Sequence, residues 1–163
     1  MKTILFIRHA KSSWESDLRD FDRPLNERGE NDAPKIGAEL LDKITHIDHV
    51  YSSSSKRTTQ TTQLLFENTF PVSFHDELYH PSVKNVLDFI HRLDDNNNTI
   101  AIVSHNPTTT DICNALQSNV QFANIPTCGI VSIRFDIENW HDVEFGKLNF
   151  YLFPNKDKNY LLV

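Results

Sequence analysis

Thr3-Ile4-Leu5-Phe6-Ile7-Arg8-His9 sets the frame for the chain. An unbroken apolar run rich in β-branched residues reads as a strand buried on both faces, ending at Arg8. The pattern returns at residues 47–52, 71–74, 99–104, 130–137 and 147–153, each read as a strand. Helical spacing lies between them. Ile36, Leu40, Leu41 and Ile44 place a helix over residues 27–43, with Asn26 as its N-cap and Glu27 in its first turn. Pro34 falls inside that span, where it would kink the helix or delay its start. A second helix is expected over 55–67, with Leu64 and Leu65 inward, and a third over 82–93, from Val83, Val86, Leu87, Ile90 and Leu93. Pro107 opens a fourth, reaching Gln117. Residues 10–26, with Ser12, Ser13, Ser16, Asp17, Asp20 and Asp22, read as a long polar loop, and 94–98 as a turn. Strand and helix alternate, which implies a layered α/β domain with a largely parallel sheet.

The chain has 163 residues, enough for one domain over 1–163 and for a sizeable core without disulfides or a structural metal. Its formal net charge of −6 argues against nucleic acid or an anionic membrane as a partner of the bulk surface. It leaves room for a local cationic pocket. Cys113 and Cys128 have no metal-ligand spacing and read as reduced, buried thiols. The apolar start is cut short by Arg8, His9 and Lys11, so it is no signal peptide, and no stretch is long enough to span a bilayer. The expected compartment is the cytoplasm.

Three polar clusters each follow a predicted strand: Arg8-His9, the segment 52–57, and Ser104-His105-Asn106. In open α/β sheets, ligands bind where strand C-termini converge. Arg8, His9, Arg57 and His105 therefore become candidate neighbours. Two guanidiniums match phosphate oxygens, a neutral imidazole is a nucleophile, and a second imidazole can donate to a developing negative oxygen. Phosphoryl transfer needs mainly positioning and charge stabilisation, which such a set supplies without a metal. Of the eight histidines, those other than His9 and His105, at 46, 49, 75, 80, 91 and 141, read as structural or surface groups. His46 and His49 could be a metal pair, but nothing nearby completes a site. No metal and no cofactor is expected.

Arg8-His9-Ala10 resembles the Arg-His-Gly signature of the histidine phosphatase, or phosphoglycerate mutase-like, superfamily. The longer run to Trp14 resembles its SixA-type phosphohistidine phosphatase branch. Three further segments, 23–29, 52–61 and 103–107, resemble in order the stretch before the first long helix, the second arginine motif and the second-histidine motif, the last with the Asn-Pro of the SixA-like branch. The resemblance spans about residues 3–135, and four motifs in order are far more specific than any one. It implies a three-layer α/β/α sandwich with a mostly parallel central sheet, phosphoglycerate mutase-like. It implies His9 as the nucleophile that becomes phosphohistidine, with Arg8, Arg57 and His105 holding the phosphoryl oxygens. Ser12 and Ser13 are weighed as added hydroxyl donors against plain solvent-facing serines.

Many members of the family place an acid between the arginine motif and the second histidine. The candidates here are Asp76 and Glu77, weighed against a reading as surface acids at a loop mouth. Asn106 stands where another branch has Asp, which makes phytase-like chemistry doubtful. A phosphoramidate leaving group depends less on an acid than an alkoxide does. About 48 residues between Arg57 and His105 hold a strand and a helix but no large cap. The expectation is a metal-independent phosphohistidine phosphatase acting on a phosphoprotein through phospho-His9. A small-molecule phosphate monoester phosphatase or phosphoglycerate mutase-like phosphotransferase stands second, and a non-catalytic phosphate-binding module third.

Overall fold

The structure is a computed structural model that describes residues 1–15 and 17–162. Ser16, read with the polar loop, and Val163, in the C-terminal segment, lie outside the described residues. Among the described residues the strands are β1 (Lys2–Arg8), β2 (His49–Ser53), β3 (Val72–His75), β4 (Thr99–Ser104), β5 (Ile130–Phe135) and β6 (Lys147–Leu152). The helices are α1 (Glu27–Lys43), α2 (Lys56–Phe66), α3 (Val83–His91) and α4 (Thr108–Leu116).

All six strands share one sheet, in the order β3-β2-β4-β1-β5-β6. The first four in that order run parallel, and β5 runs antiparallel to both of its neighbours. The sheet is therefore mixed, with a parallel majority. The reason lies in the connection. Residues 136–146 hold one 3-10 turn, Trp140–Asp142, and no helix, so β5 and β6 join without the crossover that parallel neighbours require.

Side-chain alternation explains why the strands read as continuous apolar runs. Ile4 and Phe6 of β1, with Ile100 and Ile102 of β4, face a core completed by Val86, Phe89 and Ile90 of α3 and Ile112 and Leu116 of α4. Leu5, Ile7, Ala101 and Val103 face the opposite core, with Ala33, Ile36 and Leu40 of α1 and Leu65 and Phe66 of α2. Both faces are covered, giving three layers. Burying one such Ile or Leu contributes about 1.5–3 kcal/mol.

Local chemistry sets the helix ends. The Asn26 side chain accepts from the Gly29 amide, and α1 starts where the cap predicts. Pro34 does not delay it: α1 begins at Glu27 and runs through Pro34, which is exposed. Ser55 and Ser82 cap α2 and α3, accepting from the Thr58 and Asn85 amides. Leu65 is buried, whereas Leu64 is only half-buried at the flank of α2. Pro107 caps α4, which begins at Thr108, and follows a cis peptide bond. The C-terminal segment folds back on residues 121–123, where the Ala123 amide donates to the Tyr160 carbonyl at 2.8 Å. No helix among the described residues is long and apolar enough to cross a membrane.

Candidate active site

Register brings the polar clusters together. Arg8 of β1 lies opposite Ser104 of β4, and Ser53 of β2 lies opposite His75 of β3. The C-terminal ends of the four parallel strands thus share one edge. His9 follows β1, His105 follows β4, and Arg57 sits in the first turn of α2, which begins just after β2.

His9 forms the floor and is 7 % exposed. Its Nδ1 lies 2.7 Å from the Ala10 carbonyl, which can only accept, so Nδ1 carries the hydrogen. Arg57 Nε donates to His9 Nε2 at 3.3 Å, so Nε2 presents a lone pair. Burial first, and then the charges of Arg57, Arg8 and Arg23, push its pKa down to about 3, against a raising contribution from the Ala10 bond. His9 is therefore neutral in the folded protein at ordinary pH.

Arg57 is 1 % exposed, and its guanidinium organises the site. Nη1 donates to the Asp20 carbonyl at 2.6 Å. Nη2 donates to Asp20 Oδ2 at 3.0 Å and to His105 Nδ1 at 3.2 Å. His105 Nδ1 accepts, so its Nε2 donates to Ser53 Oγ at 2.9 Å. Burial above all, with the neighbouring His9 and Arg57, pushes the His105 pKa down to about 2. The two imidazole rings stand 5.3 Å apart. Arg8 donates from Nη1 to the Ile125 carbonyl at 2.9 Å, and its buried Nε has no partner.

The backbone around His9 is held from several sides. The His9 amide donates to the Ser104 carbonyl, and the His9 carbonyl accepts from the Cys128 amide at 2.9 Å. The Ala10 amide donates to Thr61 Oγ1 at 2.9 Å, and Thr61 donates in turn to the Arg57 carbonyl at 2.7 Å. Gly29 is required here, since a Cβ would meet the Lys11 carbonyl oxygen at 2.2 Å.

Of the residues expected from sequence, His9, Arg57 and His105 are in mutual contact, with Arg8 adjoining. Asp76 and Glu77 bond to other partners. Asp76 accepts from Ser54 Oγ, and Glu77 is exposed and paired with Arg92 at 2.9 Å. Ser12 is buried and accepts from Arg23 Nη1 at 2.8 Å, so it is no solvent-facing serine, while Ser13 Oγ accepts from the Glu15 amide. His46 pairs with Asp48 and His49 with Ser73. Burial pushes both cysteine thiols up, Cys128 to about 12.

Four residues in contact at the site are not among the site residues expected from sequence: Ser53, Asp20, Tyr79 and His80, the last reading in sequence as a structural or surface group. The Asp20 carboxylate receives Tyr79 Oη at 2.6 Å and His80 Nε2 at 2.9 Å, besides Arg57. Partial burial raises the Asp20 pKa, but these three bonds and the Arg57 charge outweigh it, holding the carboxyl well below the usual range. A strand-end signal existed for Tyr79 and His80, which follow β3 closely. Asp20 sits on a 3-10 turn (Asp20–Asp22) in the long loop and carried no signal.

The model of the histidine phosphatase superfamily (branch 1) matches residues 4–83. An uncharacterized protein of Mycobacterium tuberculosis is 32% identical over 149 residues, covering 86% of this chain and 93% of that protein. A candidate phosphohistidine phosphatase SixA from Agrobacterium tumefaciens superposes with a TM-score of 0.78 at 25% identity, over 93% of this chain and 97% of that one. This chain belongs to the histidine phosphatase superfamily. Within that superfamily it falls in the SixA-type branch, and it is a phosphatase. The protein histidine phosphatase SixA complexed with tungstate shares the fold at TM-score 0.81 and 20% identity, over 93% of this histidine phosphatase and 97% of that chain.

Proposed function

We propose that the protein is a metal-independent phosphohistidine phosphatase that removes a phosphoryl group from a phosphoprotein through a phospho-His9 intermediate. The observation that carries this is the neutral His9, its Nδ1 hydrogen tied to Ala10 and its Nε2 lone pair beside Arg57. That lone pair attacks phosphorus and the leaving group departs on the opposite side. Water then attacks the phosphohistidine and returns the pair to Nε2. Arg57 and the unpartnered Nε of Arg8 are donors to the transferring oxygens, with His105 beside Arg57, and fixed donors there are most effective as charge develops.

The rim supports a protein substrate. Trp14, 74% exposed, lies under the Arg23 guanidinium at 3.5 Å, and Arg23 pairs with Asp20 at 3.1 Å. An exposed aromatic next to the mouth suits a docked surface better than an enclosed metabolite. Between Arg57 and His105 lie the rest of α2, β3, one 3-10 turn, α3 and β4, with no inserted cap among the described residues. Small phosphate esters are the second reading, through the same nucleophile and pocket.

The test is phosphate release from a phosphohistidine peptide with chelator present, by wild type and His9→Ala. Release by wild type that falls to background in His9→Ala is expected. Release from a small ester but not from phosphohistidine would favour the second reading. Release from neither would leave a phosphate-binding module.

A further inference from the structure

We propose that His80 is a catalytic residue that gives the leaving group its proton, and that Asp20 Oδ2 marks the place of the leaving atom. The proposal rests on phosphoryl transfer to His9.

Three donors converge on that single oxygen: Arg57 Nη2 at 3.0 Å, His80 Nε2 at 2.9 Å and Tyr79 Oη at 2.6 Å. An ionised carboxylate only accepts, so His80 Nε2 carries a hydrogen there. The 3.4 Å approach of Arg57 Nη2 to His80 Nε2 is then two donors meeting side by side, both aimed at one acceptor. A substrate oxygen or nitrogen that replaced Oδ2 would inherit the three donors.

Direction agrees with this. In-line displacement puts the leaving atom opposite the nucleophile. His9 is the buried floor, against Nε of the Arg57 guanidinium, and Asp20 Oδ2 lies against the neighbouring Nη2. Asp20 and His80 are half-exposed, with side chains 42% and 48% accessible, so they stand on the solvent side where the rest of a substrate must emerge. The His80 ring is 4.7 Å from that of His105. His80 also holds a left-handed backbone, φ 45°, which is uncommon outside glycine and turns its side chain onto the site at local cost.

The other possible donors serve less well. Asp20 is ionised and has no proton to give. Burial and the Asp20 charge raise the Tyr79 phenol. Asp76 and Glu77 are engaged by Ser54 and Arg92. Imidazole is the side chain that exchanges protons near neutrality.

The step balances. His80 enters as an imidazolium. His9 Nε2 forms the bond to phosphorus, the bond from phosphorus to the leaving atom breaks with its electron pair on that atom, and the Nε2 proton of His80 passes to it. His80 is left neutral with hydrogen on Nδ1. In the second half, water adds to phosphorus, its proton returns to His80 Nε2, and the pair of the broken P–N bond returns to His9.

The test compares kcat/KM of wild type, His80→Asn and His80→Gln on 4-nitrophenyl phosphate, which carries a good leaving group, and on phenyl and alkyl phosphates, which do not. Asn suits the left-handed backbone and neither amide is an acid. A proton donor is worth about 10²–10⁴-fold where the leaving group needs it. Losses of that size on the poor leaving groups, with less than about 10-fold on 4-nitrophenyl phosphate, are expected. Equal losses on all three esters, or no loss on any, would overturn the proposal. Urea midpoints matching wild type show that the variants are folded, and a loss accompanied by unfolding in both would count against a chemical role. Hydrolysis by His9→Ala equal to wild type would instead sink the nucleophile assignment, and this proposal with it.

Discussion

Lowering the pH from 7 to 5 should cost the protein about 4 kcal/mol of stability through His9 and His105 alone. Both are neutral and buried, 7 % and 1 % exposed, with folded pKa values pushed down to about 3 and about 2. In the unfolded chain a histidine titrates near 6.5. Below that value the unfolded state takes up a proton that the folded state refuses, so stability falls as pH drops and levels off only near the folded values. One such group costs about 1.4 kcal/mol per pH unit once the unfolded chain is fully protonated. Between pH 7 and 5 this integrates to about 2 kcal/mol for each histidine, and it holds for any folded value below about 4. Urea unfolding followed by circular dichroism at both pH values measures it. His9→Asn should lose about 2 kcal/mol less than wild type over that interval, and His9→Asn with His105→Asn about 4 less. The remaining histidines and the carboxylates cancel in the comparison. A double variant that loses as much as wild type would refute the claim that these two imidazoles are held neutral. The same two groups predict that activity persists somewhat below neutral pH, since the nucleophile is not protonated there.

Two further substitutions test the frame. Gly29→Ala places a Cβ 2.2 Å from the Lys11 carbonyl oxygen, itself the acceptor of the Asn26 amide; forcing that contact open should destabilise by about 1–3 kcal/mol. Because Lys11 stands two residues after His9, a shift of about 1 Å should also lower kcat by up to about 100-fold. Lys2→Met should destabilise by about 3 kcal/mol in thermal or urea unfolding while leaving kcat unchanged. The buried ammonium donates to the Asp95 and Asn97 carbonyls and to Asn98 Oδ1, at the opposite end of β1, about 20 Å from the site.

Apolar runs and caps made the frame legible. β1 and β4 are buried on both faces, so their residues declare themselves without alternation, and Asn26 and Ser55 fix where α1 and α2 begin. The edge of the sheet was harder, because β5 and β6 read as strands in either direction and only the missing helix between them sets their sense. At the site, Arg8, His9, Arg57 and His105 lie next to strand ends, and topology alone gathers them. Asp20 reaches Arg57 across 37 positions from a loop without periodicity, so nothing local announces it. His80 resembles any surface histidine until that carboxylate is seen beside it. Asp76 and Glu77 look like acids at a mouth, yet Ser54 and Arg92 engage them.

Thr61 ties the backbone after His9 to the carbonyl of Arg57 through one hydroxyl, and Gln60, beside it on α2, accepts from the Leu25 amide at 2.8 Å. The segment after the nucleophile is therefore tied to the helix that carries its chief cation. The rim that a substrate meets, where Trp14 lies under Arg23, falls between the two points that α2 holds, Ala10 and Leu25. Inheritance can then act on the two parts separately. Rim residues are free to drift toward a new partner without misaligning the phosphoryl pocket, whereas a change in the first turns of α2 is felt by every substrate alike. A selection for altered partners should accordingly enrich changes at positions 13–15 and 17–19 and leave Asp20, which holds Arg57, and 57–61 untouched.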